Sequence, residues 1–188
     1  MVRMTWTWLL AEVMAIKPYY WVITAAVFSL VFLISVKNAS VKVSLARGLL
    51  PAYVILIVVS TTLNRAISTE TYNLVPFWSY RAYLRGNPDV LSQVFLNVVL
   101  FIPFGVLNAI VIESYFKRKS SVFKGAITVL ASTILSASIE VTQLITHKGL
   151  CETDDVIHNS FGAIIGYGCW QLYKKIRRRY FADKHEAE

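Results

Sequence analysis

Apolar residues along this chain fall into long windows that contain no charged side chain. The windows cover residues 18–36, 48–64, 90–112, 125–139 and 156–173. A helix crosses the hydrocarbon of a bilayer with about 20 apolar residues, within a range of roughly 17–25. The window 125–139 meets this range only when Glu140 lies inside the span and extends it to residues 122–145, whereas the other four meet it as they stand. The pattern predicts an all-α polytopic membrane protein, a bundle of five transmembrane helices.

The segment before the first window is apolar but too short to cross a membrane, and Glu12 interrupts it. Its large apolar side chains fall on one helical face, which predicts a short interfacial helix over residues 1–17. A cleaved signal peptide is the alternative, but no convincing small-residue cleavage site precedes Lys17. The connection over residues 66–89 is short enough to pack against the helices. We therefore interpret residues 1–188 as a single transmembrane domain with a basic tail over residues 174–188.

The composition agrees with a membrane protein. Apolar residues make up 56% of the chain and charged residues 16%, and the mean hydropathy is +0.54. An average soluble domain has about 45–50% apolar and about 25% charged residues. The two cysteines are too few for a disulfide framework.

The basic residues are distributed unequally between the two sides of the predicted bundle. Thirteen of the 19 lysines and arginines fall on one side and six on the other. The positive-inside rule then places the N-terminus outside and the C-terminus in the cytoplasm. In this interpretation the basic residues set the topology and contact anionic lipid headgroups, which explains the pI near 9.6 without a nucleic-acid partner.

Three predicted spans carry polar residues at a similar depth below the outer surface. At a rise of about 1.5 Å per helical residue, Asn97 and Glu140 lie about 9 Å deep and Asn159 about 6 Å deep. Glu140 and Gln143 share a helix face, and so do Asp155 and Asn159. A carboxyl group at that depth must be neutral or paired, which requires partners from other helices. We interpret this convergence as a functional polar cluster.

Each of these elements also has a purely structural interpretation. Asp154 or Asp155 fits the N-cap of the fifth helix, and Gly162 and Gly166 fit close helix packing. Asn97 fits a hydrogen bond between helices. Several side chains with metal-ligating atoms lie close in sequence, but their spacing matches no metal motif, so we predict no metal and no cofactor. These side chains are His147, Glu152, Asp154, Asp155 and His158.

Four blocks of sequence carry a family resemblance. They are NLVPF at residues 73–77, NVVLFIPFG at 97–105, EVTQ at 140–143 and DDVIHN at 154–159. In this order and spacing, over roughly residues 72–170, the chain resembles the VanZ-like family of small bacterial membrane proteins, named for a teicoplanin-resistance accessory protein. The resemblance implies about five transmembrane helices in a bacterial plasma membrane and a link to glycopeptide or cell-envelope stress resistance. The polar signature of the family falls on Asn97, Glu140, Gln143, Asp155 and Asn159.

The chain departs from the family pattern at one position. The family has an arginine shortly before the acidic stretch, and the nearest equivalent here is Lys148. Lysine holds an anion as a point charge and lacks the bidentate fork of arginine. The predicted ligand-binding residues are therefore the five signature residues together with Lys148 at the rim.

Three classes of function remain open. The first is a binding module that holds a membrane lipid or an undecaprenyl-linked wall precursor at the outer face, with phosphate contacts from Lys148 and from Arg81 or Arg85. The second is an intramembrane hydrolase or transferase acting on a lipid headgroup, with Glu140 as general acid or base and Asp155 as its partner. The third is a lipid or small-molecule transporter, which ranks last because the inner halves of the spans look apolar and no inverted repeat is evident.

Overall fold

The fold was analysed in a computed structural model that describes residues 39–63 and 71–186, residues 65 and 67–69, and residues 20, 23–25, 27–30 and 32. From residue 39 onward its helices are α1 (Val41–Val58), α2 (Trp78–Leu84), α3 (Val90–Tyr115), α4 (Ser121–Thr146) and α5 (Thr153–Glu186). A π-helical turn (Val59–Leu63) continues α1. The two-residue strands β1 (Tyr72–Asn73) and β2 (Cys151–Glu152) pair in parallel.

The predicted all-helical fold class is confirmed, and three helices within the described residues are long and apolar enough to cross a membrane. They are α1 with its π-turn (Val41–Leu63), α3 and α4, which contain the second, third and fourth predicted spans. Helix α4 includes Glu140, as the fourth span requires. The fifth window lies within α5, which is less apolar than these three.

The beginning of the chain is described only in part. The first predicted span, residues 18–36, lies mostly outside the described residues, and its described members are helical. The interfacial helix predicted over residues 1–17 lies outside them altogether. Five transmembrane helices therefore stay a prediction.

One face of helix α4 buries polar side chains, while several of its large apolar side chains are exposed. Thr128 and Ser132 are 0% exposed, whereas Leu130 and Ile134 are 58% and 59% exposed. This is the reverse of a helix folded in water, where burial of apolar surface drives folding. Lipid tails are as apolar as leucine, so membrane helices associate through small and hydroxyl side chains and turn their apolar faces to lipid. The arrangement of α4 is that of a membrane helix.

The same buried face corrects one sequence-based expectation. Thr128 and Ser132 lie in the first half of α4, so the prediction that the inner halves of the spans are apolar is wrong for this helix. Their hydroxyls donate to the carbonyls of Lys124 and Asn159, at 3.0 and 3.3 Å. These bonds to the backbone of α4 and of α5 stabilise helix packing, and they give no support to the transporter interpretation.

Helices α3 and α5 pack with their backbones in contact. A Cβ added at Gly162 would overlap the carbonyl oxygen of Val98, and one at Gly166 would overlap that of Ile102. Small residues four apart allow this approach. The glycines of the fifth span therefore act in packing, and their spacing fixes how the outer ends of α3 and α5 meet.

The connection before α3 closes one end of the bundle, where α4 ends and α5 begins. Predicted only as a loop packed on the helices, it contains β1 and α2. Pairing of the strands sets Asn73 opposite Glu152. The apolar core consists of Ile57, Phe101, Phe104, Ile139 and Ala163. Ile139 is the core residue of α4 and directly precedes Glu140 in the chain, so the polar residues at this end lie next to the apolar core.

Candidate functional site

The start of α5 meets α3 through a hydrogen bond between two predicted site residues. The side-chain amide of Asn97 donates to the Asp155 carboxylate at 2.6 Å. Asp155 also shares a hydrogen bond with the carboxyl group of Glu152. Two carboxyl groups share a hydrogen bond only when one of them carries a proton. Burial, assisted by the negative charge of Asp155, raises the pKa of Glu152 to about 8, so the pair retains that proton at neutral pH.

Glu140 extends from α4 into the same region. It is 4% exposed, and its carboxyl oxygen accepts the backbone N–H of Glu152 at 2.7 Å. The parallel pairing of β1 with β2 holds the Glu152 backbone in place for this bond. Glu140, Glu152 and Asp155 are therefore three buried carboxyl groups contributed by α4, β2 and α5. We call these three residues and Asn97 the outer carboxyl cluster, after the side of the membrane on which the sequence predicts this end of the bundle.

Arg65 supplies positive charge to this cluster. Its guanidinium attracts all three carboxyl groups. The side chain is exposed and runs beside Gly149, where an added Cβ would lie 3.0 Å from its Cδ. Gly149 has a φ of +96°, a backbone conformation that glycine adopts without strain. A larger residue at Gly149 would therefore displace Arg65 from the rim of the cluster.

Lys148, the residue predicted at the rim, directly precedes Gly149 in the chain. Its backbone forms an antiparallel bridge with Ile67. Within the described part of the chain, its side chain makes no hydrogen bond or ion pair. Arg65 was missed because it lies far from the acidic stretch in sequence. The available signal was its position directly after the second span, at the predicted outer end.

Gln143 and Asn159, the remaining predicted residues, use other partners. Gln143 donates to the carbonyl of Thr61 at 2.8 Å, and Asn159 donates to the hydroxyl of Ser136 at 2.7 Å. Both amide oxygens are buried and have no hydrogen-bond partner among the described residues. A buried acceptor without a donor costs about 1–3 kcal/mol. The side-chain oxygens of Gln143 and Asn159 are therefore two acceptors without donors among the described residues, on the face of the bundle that holds the cluster.

The π-turn after α1 determines what Gln143 contacts. The hydroxyl groups of Ser60 and Thr61 donate hydrogen bonds to the carbonyl oxygen of Ile57, at 3.0 and 2.8 Å. Side chains that bond the preceding turn compete with the regular helical ladder. π-Helical turns inside α-helices occur frequently at functional sites. Here the turn presents the Thr61 carbonyl to Gln143, which joins α1 to the outer end of α4.

Asp154 has a structural role. Its carboxylate accepts the backbone N–H groups of Phe77 and Ser79 together with the Ser79 hydroxyl. It therefore caps the start of α2, whereas the sequence interpretation assigned the cap to its own helix. Tyr80 and His158 join the same two helices through a 3.0 Å hydrogen bond. These contacts fasten the outer connection onto α5.

The polar groups at the outer end determine which kind of ligand it can bind. It combines three carboxyl groups, two amide oxygens that lack donors and one exposed guanidinium. No group of three His, Cys, Asp or Glu residues in the described ranges is placed to hold a metal ion. The arrangement suits a ligand that donates several hydrogen bonds and also carries a negative group.

Comparison with known proteins gives one family. A family model described as VanZ/LLP1 matches residues 19–174, which is more than half of the chain. The matched range contains every residue of the outer carboxyl cluster and Arg65. Neither the curated proteins nor the solved structures gave a match.

Proposed function

The chain belongs to the VanZ/LLP1 family, and from that premise we propose that it binds an envelope lipid or a lipid-linked wall precursor at its outer end. The resemblance predicted from the sequence is thereby confirmed, and VanZ-like proteins are generally linked to antibiotic resistance. A precursor held at the outer end would be shielded from a glycopeptide of the teicoplanin type. Resistance follows from competition for the same ligand.

The proposal depends on two buried amide oxygens that lack a hydrogen-bond donor among the described residues and on the exposed guanidinium of Arg65. The free amide oxygens of Gln143 and Asn159 accept hydrogen bonds from sugar hydroxyls or peptide amides. Arg65 pairs with a phosphate through two parallel hydrogen bonds. Undecaprenyl-linked wall precursors combine a phosphate with sugars and a peptide, so one molecule satisfies both kinds of group.

The orientation in the membrane is part of the same proposal. The surplus of lysine and arginine favours a bacterial plasma membrane protein with the N-terminus outside and the C-terminus in the cytoplasm. The outer carboxyl cluster then faces the wall. A periplasm-active reporter enzyme fused after residue 188 should be inactive, and activity of that fusion would reverse the orientation.

Binding of an undecaprenyl-linked precursor to the purified full-length protein tests the proposal. Glu140→Gln keeps the shape of the side chain and replaces one of its two oxygens by an NH2 group, and Arg65→Gln removes the guanidinium. Each should weaken binding about tenfold, since a charge-assisted hydrogen bond is worth about 1.5–3 kcal/mol. Asp89→Asn removes an exposed carboxylate on the same predicted side and is the matched control.

The control should bind as the wild type does. The proposal fails if wild type does not bind, or if all four proteins bind equally. Teicoplanin susceptibility at matched expression should follow the same order, with protection lost in Glu140→Gln and Arg65→Gln and kept in Asp89→Asn.

One observation favours a second candidate, an intramembrane hydrolase or transferase acting on a lipid headgroup. Protonated Glu152 beside Asp155 forms an acid and base pair, and a pKa of about 8 lies near the working pH, where general acids are most effective. Glu140, the predicted general acid or base, contacts the Glu152 backbone. Mass spectrometry after incubation with envelope lipids should then reveal a product that Glu152→Gln abolishes and Asp89→Asn retains.

A further inference from the structure

The opposite end of the bundle carries a groove lined with basic residues. A cavity of about 510 Å³ lies between the start of α1, the end of α3 and α5. A second cavity of about 410 Å³ adjoins it and shares Lys42, Glu113 and Trp170 with it. Six cations line the two cavities, namely Lys42, Arg47, Lys117, Lys174, Arg177 and Arg178. We call this feature the inner basic groove.

The acid in this groove is already neutralised. Glu113 pairs with the Lys174 ammonium at 2.6 Å and accepts the indole N–H of Trp170 at 2.7 Å. Among the described residues that line the two cavities, there are six cations and one carboxylate. The groove therefore keeps a large excess of positive charge.

Aromatic rings hold two of the cations in fixed positions. The Lys42 ammonium lies 3.9 Å from the centroid of Trp170 and 4.8 Å from that of Tyr173. Arg47 stacks 4.6 Å from the ring of Tyr115. Cation–π contacts of this kind hold the cation beside the ring.

The positive groups are also close enough to repel one another. Arg177 and Lys174 both repel Lys42, and the attraction of Glu113 opposes them. An anion placed between like charges relieves this repulsion, because Coulomb energies at such distances are large outside bulk water. An anionic group bound among the six cations would offset this repulsion.

We propose that the inner basic groove binds a phosphate group, carried by the headgroup of an anionic phospholipid in the cytoplasmic leaflet. Arginine and lysine are the usual donors to phosphate oxygens. The groove lies at the helix ends, on the side where the surplus of basic residues predicts the cytoplasm. A soluble phosphate shares this chemistry, so the test must separate the two sources. The site is distinct from the outer carboxyl cluster and does not depend on the proposed function there.

Lipid retention by the full-length protein in nanodiscs provides the test. One set of discs contains phosphatidylglycerol, and the other contains only phosphatidylcholine with inorganic phosphate added to the buffer. The groove variant is Lys42→Gln combined with Arg178→Gln. The matched control is Lys175→Gln combined with Arg179→Gln, which removes the same charges from exposed residues of α5 that line neither cavity.

Native mass spectrometry should find phosphatidylglycerol retained by wild type and by the control, and reduced about tenfold in the groove variant. Inorganic phosphate bound in the second set, with phosphatidylglycerol not retained in the first, would overturn the lipid assignment. Equal loss in groove and control variants would overturn the groove itself. Melting temperatures check folding, and the single change Lys117→Gln at an exposed lining residue should reduce retention if the double variant does not fold.

Discussion

The two ends of this molecule handle charge in opposite ways. At the outer end, carboxyl groups are buried and bonded to amides and to one another, with Arg65 at the rim. At the inner end, cations surround one neutralised acid in an open groove. Removing one partner of a buried charge is costly, whereas an exposed ion pair is worth about 0–1 kcal/mol. Equivalent substitutions at the two ends should therefore differ in their effects.

Both ends depend on the contact between α3 and α5, so breaking that contact should have the largest effect. Gly162→Ala places a methyl group against the Val98 carbonyl and forces the helices apart. We expect a loss of about 3 kcal/mol, at the upper end of the usual cost of overpacking. Thermal unfolding in detergent measures it. Gly168→Ala is the control, because an added Cβ there meets nothing within 4 Å and should leave stability unchanged or slightly higher.

The cap supplied by Asp154 should come next. Asp154→Asn preserves the shape of the side chain but replaces one of the two acceptor oxygens that hold Phe77 and Ser79. The expected loss is about 2 kcal/mol, confined to the outer connection. Hydrogen exchange of the Phe77 and Ser79 amides should accelerate while that of α4 stays unchanged. Faster exchange throughout the bundle would contradict a local role.

The outer cluster is also distinguished by the response of its stability to pH. Burial and the charge of Asp155 raise the pKa of Glu152 from 4.5 to about 8 in the folded protein. The folded state then holds a proton that the unfolded state has lost, so stability is highest below pH 4.5 and falls as the pH rises through 8. Melting temperatures of Glu152→Gln should vary less over this range than those of wild type. Parallel curves would exclude Glu152 as the proton carrier.

The smallest effect is expected at the inner end. Glu113→Gln removes the ion pair with Lys174, which is partly exposed, and should change stability by less than about 1 kcal/mol. Its unfolding curve should nearly coincide with that of wild type. A loss of stability as large as that expected for Asp154→Asn would contradict the difference between the two ends in how they respond to loss of charge.

Sequence reasoning identified the elements that depend on local pattern. The predicted spans over residues 90–112 and 122–145 correspond to α3 and α4 within a few residues, and the depth of Glu140 required partners that the structure provides. Asn97 and Asp155 come together because the glycines of α5 fix its approach to α3. Each of these features has a periodic or spacing signal along a single helix.

The missed features depend on residues distant in sequence. Helix α2 begins after Phe77, which has a φ of 60° and provides no side-chain cap, so no local start signal exists. Its cap is Asp154, brought near by the fold. Strands β1 and β2 have two residues each and therefore no periodicity. Arg65 and Glu152 likewise meet the other residues of the cluster through contacts between segments that are distant in sequence.

The reversed pattern of α4 has a practical consequence for engineering. Its interhelical bonds use Ser132 and Ser136, while Leu130 and Ile134 point outward and contribute nothing to them. Replacing the outward residues by glutamate and lysine would leave the internal hydrogen bonds intact. The exchange would not by itself give a domain that folds in water, because the buried face of α4 is polar and contributes little of the apolar burial that drives folding there.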